Sequence, residues 1–141
     1  MAATCSTTCT GNDVKSILAT PGFVKIDATY KALREAIYKA PVIVRFLSAA
    51  DFATYDNTKG VYENTVDCTS SITTADLNHV MLAIGYGYLG PKEYFLVQNS
   101  WGTSWGYNGV AYIYADRTST VGTCGLYLDN YQVLSNAPDL A

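Results

Sequence analysis

Asn78-His79-Val80-Met81-Leu82-Ala83-Ile84-Gly85-Tyr86-Gly87 and Gln98-Asn99-Ser100-Trp101-Gly102-Thr103-Ser104-Trp105-Gly106 are the two stretches on which the reading of this chain turns. The first holds the only histidine. Val80 to Ile84 and Tyr94 to Val97 are apolar, β-prone runs. Between them, Tyr86-Gly87-Tyr88-Leu89-Gly90-Pro91-Lys92 is punctuated by glycine and proline and reads as a turn. The two runs therefore predict a β-hairpin. A turn centred near Leu89 sets His79 opposite Asn99, or within one residue of it. Facing Cβ atoms in an antiparallel pair lie roughly 4.5–5.5 Å apart. At that range an amide oxygen can accept an imidazole N–H and fix the tautomer of the ring.

Working outward, Phe23-Val24-Lys25-Ile26 alternates like a short strand. Thr29, with Asp27 as a competitor, reads as a helix N-cap. Tyr30, Leu33, Ala36, Ile37, Tyr38 and Ala40 recur at helical spacing, Glu35 can pair with Lys39, and Pro41 stops the helix. Pro41 to Leu47 is a strand, and Asp51 to Tyr55 one helical turn. Residues 56–76 form a polar surface excursion carrying Cys68. Gly109 to Ala115 is another strand, and Cys124–Tyr127 and Tyr131–Leu134 are short extended pieces.

The chain has 141 residues, 49% of them hydrophobic and 15% charged, which suits one globular domain with a real core rather than a disordered segment. A net charge of -3 gives no footprint for nucleic acid or an anionic membrane. No apolar run approaches the ~20 residues of a membrane span. Met1-Ala2-Ala3-Thr4-Cys5 lacks the basic and apolar regions of a signal peptide. Four cysteines suit a secreted or vesicular protein.

Asn78-His79-Val80 with Gly85-Tyr86-Gly87, then Asn99-Ser100-Trp101-Gly102 and Trp105-Gly106, then Gly122-Thr123-Cys124-Gly125-Leu126-Tyr127, resemble in order and distance the second half of a papain-family cysteine peptidase domain. The likeness runs from about Val14 to about Val133. It implies an α+β fold, the papain-like right-hand domain: an antiparallel β-barrel-like sheet with one packed helix. Residues 1–13 would be a residual inter-domain connection, 14–134 the β-rich half-domain and 135–141 a tail. His79 would be the general base and acid, Asn99 its orienting partner, and Trp101 the indole shielding their bond. A substrate pocket would be lined by Arg45, Leu77, Asn78, Val80 and Asp129, with Arg45 standing where an apolar residue is usual. Arg45 and Asp129 could neutralise each other there, favouring a basic or polar substrate residue. A disulfide would join Cys68 to Cys124. No metal or cofactor is implied.

The resemblance also implies a partner. The family's nucleophilic Cys is followed by Trp and preceded by a Gln, and no such segment occurs here. A thiolate is the attacking species, so an N-terminal half-domain would have to bring it to the peptide substrate. That half would come from the same precursor or from a separate chain, and Cys5 or Cys9 could reach it. The isolated chain should then be inactive. The competing expectation is a catalytically silent half-domain used for binding or assembly. A weaker one is a relative with serine as nucleophile, as in silica-forming members. A lysosomal, vacuolar or secreted location follows from the same likeness.

Overall fold

The computed structural model describes residues 22–56 and 58–134. Cys5 and Cys9, the connection at 1–13 and the tail at 135–141 lie outside that range. Six strands and one helix run in the order β1 (Gly22–Ile26), α1 (Tyr30–Lys39), β2 (Val42–Phe46), β3 (His79–Leu89), β4 (Lys92–Gln98), β5 (Val110–Tyr114) and β6 (Asn130–Leu134). They form one antiparallel sheet, ordered β1-β6-β2-β3-β4-β5. This is the expected α+β architecture.

Helix α1 follows from its ends and its apolar face. The Thr29 hydroxyl accepts from the Ala32 N–H at 3.1 Å, supplying the N-cap. At the other end Gln132 donates from Nε2 to the carbonyls of Ala36 and Ala40, both at 2.8 Å. A side chain from β6 thus supplies the Ala40 carbonyl with a donor and adds a second one to the Ala36 carbonyl, which already accepts from the Ala40 N–H at 3.1 Å. Leu33, Ala36 and Ile37 are buried against the sheet, while Tyr38 is exposed despite its spacing. Glu35 pairs with Lys31 rather than Lys39.

The hairpin is longer than the sequence suggests. Tyr86 to Leu89 belong to β3, and only Gly90 and Pro91 connect it to β4. Gly90 has φ 60°, the sign needed at the first central position of a II′ hairpin turn. Gly87 is not a turn residue. A Cβ there would stand 2.9 Å from the Tyr94 hydroxyl, so the missing side chain lets the Tyr94 ring cross the strand. Ile84 is an extra residue: Ala83 faces Val97, yet Gly85 faces Leu96. This bulge reverses the alternation. Met81 and Ala83 point into the core on one side of it, and Tyr86, opposite buried Phe95, on the other.

Two further clusters fix the ends. Phe52, in a 3-10 turn over Ala50–Thr54, has ring centroids 4.8 Å from Phe46, 4.9 Å from Tyr62 and 5.0 Å from Trp105. Glu93 is buried at the far end. It accepts from the Arg117 Nε at 2.7 Å and the Tyr30 hydroxyl at 2.8 Å, so it ties β4 to α1 and to the 116–120 loop. Burial pushes its carboxyl up, but the bonds from Arg117 and Tyr30 outweigh that and leave it below the ordinary value.

Cys68 and Cys124 are joined, their Cα atoms 4.5 Å apart. Cys124 does not lie in an extended piece. It sits in a 3-10 turn over Thr123–Gly125 with φ 52°, between Gly122 at 72° and Gly125 at 78°. The bridge spans a sequence separation of 56. On the chain-entropy account, Cys68→Ser with Cys124→Ser should lower unfolding free energy by about 3–4 kcal/mol, read from urea denaturation of oxidised and double-mutant protein.

Candidate active site

His79 opens β3, and Asn99 follows the last residue of β4. Leu82 faces Gln98 and Ala83 faces Val97. Continued to the strand's start, that register sets His79 against Trp101, not Asn99. The expected face-to-face pairing is therefore replaced by a diagonal, because the turn falls at Gly90-Pro91 rather than at Leu89 and the extra residue at Ile84 takes back one position of that shift. Diagonal neighbours on one face remain within reach of long side chains. The imidazole Nε2 lies 2.9 Å from Asn99 Oδ1.

The chemistry of that contact is decided by Ser100. Its backbone N–H donates to the same Asn99 oxygen at 2.8 Å. The atom facing the imidazole is thus an acceptor, and His79 Nε2 carries the shared proton. Nδ1 is left as the basic nitrogen of the ring. Asn99 is buried, and its own backbone N–H donates to the carbonyl of Gly109, the residue before β5, at 2.9 Å, which holds it in place. Aiming the oxygen at His79 leaves Asn99 Nδ2 buried without a partner among the described residues.

The Trp101 ring lies against His79. Its centroid is 4.7 Å from that of the imidazole, with the planes 32° apart. The indole is itself supported by Trp105 at 5.3 Å and Phe52 at 5.8 Å. Trp105 is fixed in turn by Nε1 donating to the Phe52 carbonyl at 3.1 Å. The resemblance implied Trp101 over the site, but the sequence did not reveal Phe52 as the common support of the two indoles. Its signal was the apolar residue inside the short turn at Asp51–Tyr55.

The expected pocket residues divide. Arg45 and Val80 are cross-strand partners on the outer face, next to His79. Arg45 donates from Nη1 to Asp129 Oδ2 at 2.7 Å and from Nη2 to the Leu77 carbonyl at 2.9 Å. The Leu77 side chain is buried and packs at Gly125, so what it offers the cluster is its carbonyl. Asn78 spends its side chain on Ser48, accepting from the N–H at 2.8 Å. Two residues were missed. Lys25 Nζ lies 2.8 Å from Asp129 Oδ1, and the Tyr131 hydroxyl donates to that oxygen at 2.9 Å. The bonds from Lys25 and Arg45 hold the Asp129 carboxyl down at about 2. Lys25 is raised by the same bond.

Among the described residues the cysteines are Cys68 and Cys124, and their bridge leaves neither as a thiolate. The described residues thus bring an imidazole and a buried amide oxygen into contact.

The sequence profile described as papain family cysteine protease matches residues 2–134. The chain belongs to the papain family of cysteine proteases. Among curated relatives it is 36% identical over 106 residues to papaya proteinase 4 of Carica papaya, covering 74% of this chain and 28% of that protein. It is 35% identical over 105 residues to procathepsin L of Rattus norvegicus, covering 72% and 30%. Among solved structures, bromelain protease from Ananas comosus, in complex with the E64 inhibitor, superposes with a TM-score of 0.70 at 31% identity, over 81% of this chain and 50% of that one. The proform of the ragweed pollen cysteine protease Amb a 11 gives 0.72 at 28%, over 90% and 36%. This papain-family chain spans about a third or less of the length of these curated relatives.

Neutral His79 should be the Nε2–H tautomer in two-bond 15N–1H spectra, and Asn99→Ala should shift it towards a mixture. A second expectation concerns acid. The folded Asp129 carboxyl lies below its ordinary value of 3.8, so its contribution is complete at neutral pH and is lost as pH falls from about 4 towards 2. Asp129→Asn should cost about 1–2 kcal/mol at neutral pH, discounted for half-exposed Lys25, and should flatten stability against pH across that window in urea titrations.

Proposed function

We propose that this chain supplies the histidine–asparagine half of a papain-type cysteine endopeptidase, with the thiolate brought by an N-terminal half-domain outside the described residues. The observation that carries this reading is the Nε2–Oδ1 contact of 2.9 Å beneath Trp101. With Nε2–H engaged, Nδ1 takes the thiol proton, and the Asn99 oxygen favours the imidazolium that results. The thiolate then attacks the peptide carbonyl. The imidazolium gives its proton to the leaving amine, and a second cycle with water releases the acyl group. Trp101 keeps water from one side of the His79–Asn99 bond, which strengthens that bond.

Arg45, Val80 and Asp129, with the Leu77 carbonyl and the backbone fixed by Asn78, would form one wall of the pocket for the side chain two residues before the cut bond. The nucleophile half would supply the other. The match to half of the bromelain chain supports such a partner. The Cys68–Cys124 bridge supports an oxidising location, either secreted or lysosomal/vacuolar. Among the described residues no helix is long and apolar enough to cross a membrane.

A second reading, a catalytically silent module for binding or assembly, is favoured by the outer sheet face. Phe23 is 71% exposed there, and Val80 and Val133 are also exposed. Cleavage of a fluorogenic peptide by the chain assembled with a nucleophile-bearing half decides between the two. His79→Ala should reduce kcat by roughly 10³-fold or more, as loss of a triad base does. An active assembly indifferent to His79→Ala would exclude the peptidase role, and an inactive assembly would favour the silent module.

A further inference from the structure

The geometry points to selection of an acidic side chain by the surface beside His79, through a three-membered cluster of Lys25, Asp129 and Arg45 that keeps one net positive charge. This deepens the peptidase reading, on which it rests for the position of the substrate.

Both oxygens of Asp129 are already bonded. Oδ1 takes Lys25 Nζ at 2.8 Å and the Tyr131 hydroxyl at 2.9 Å, and Oδ2 takes Arg45 Nη1 at 2.7 Å. The carboxylate side chain is only 9% exposed, against 34% for Arg45 and 57% for Lys25. An incoming ammonium or guanidinium would find both oxygens already bonded to cations and would meet those two cations first. An incoming carboxylate would meet donors still unspent. Arg45 uses one N–H on Asp129 and one on the Leu77 carbonyl, of the five a guanidinium offers. From sequence alone Arg45 and Asp129 cancel, and a basic or polar residue is favoured. Lys25, brought alongside by the pairing of β1 with β6, tips the balance the other way.

The cluster stands where a substrate side chain arrives. Arg45 pairs with Val80, the residue after His79, and both lie on the outer face with Ile43. A peptide extended past the imidazole rises about 3.3 Å per residue and alternates its side chains. The side chain two residues from the attacked carbonyl is then about 6–7 Å along, over Val80 and within reach of Arg45. Apolar Val80 and Ile43 give its methylenes a floor, and the guanidinium takes its carboxylate.

The test uses the 141-residue chain itself, isotopically labelled and titrated with the blocked peptides Ac-Glu-Gly-NH2 and Ac-Arg-Gly-NH2. The Glu peptide should shift the amides of Lys25, Arg45 and Val80 and bind about tenfold more tightly than the Arg peptide at low salt, a gap that shrinks in about 0.5 M salt. Lys25→Met, which keeps the aliphatic stem, should remove most of the gap, and Lys25→Glu should reverse it. Equal or tighter binding of the Arg peptide would overturn the inference, as would a ratio unmoved by either substitution or a Glu peptide that leaves those three amides in place. Peptide binding is read without any cleavage, so its outcome is separate from that of the assembled-enzyme assay.

Discussion

Burial of the Phe52 ring is the constraint from which the site's order follows. Phe52 comes from the turn after β2, yet it touches Phe46 on β2, Tyr62 in the long loop, and both indoles of the segment after β4. Each aromatic contact of this kind adds roughly 0.5–1.5 kcal/mol beyond its buried area. More important here is that one side chain joins three parts of the chain distant in sequence. Trp105 is locked through its N–H to the Phe52 carbonyl, Trp101 leans on both, and His79 lies under Trp101. A loop of small and polar residues acquires a fixed geometry because its two tryptophans are packed from below.

The electrostatics divide between two regions. The buried Asn99 presents an oriented neutral dipole, its amide oxygen, to the imidazole of His79. The outer face nearby carries full charges, but in a closed arrangement around Asp129. Glu93, at the opposite end of the hairpin, repeats the pattern with Arg117 and Tyr30. In both clusters the acid is buried and its cations remain partly in water, which limits the desolvation cost that an enclosed ion pair would carry.

Much of this was legible in the residues. The helix could be read because Thr29, the spacing of Leu33, Ala36 and Ile37, and Pro41 all gave one answer. The meeting of His79 and Asn99 was legible, but its geometry was not. Glycine in Tyr86-Gly87-Tyr88 looked like punctuation, whereas Gly87 is needed for the passage of the Tyr94 ring. The turn was therefore placed too early, and the register of the hairpin with it. The left-handed residues at Gly122, Cys124 and Gly125 turned an expected extended piece into a 3-10 turn. Lys25 was invisible as a partner of Asp129, because β1–β6 pairing joins positions at nearly opposite ends of the chain and no local pattern records it.

The extra residue at Ile84 lets one strand serve two parities. β4 keeps a single inward row, Phe95 and Val97, while β3 meets it with odd-numbered Ala83 below the bulge and even-numbered Tyr86 above. The added length is absorbed at that one point, so both ends of β3 face the same row of β4.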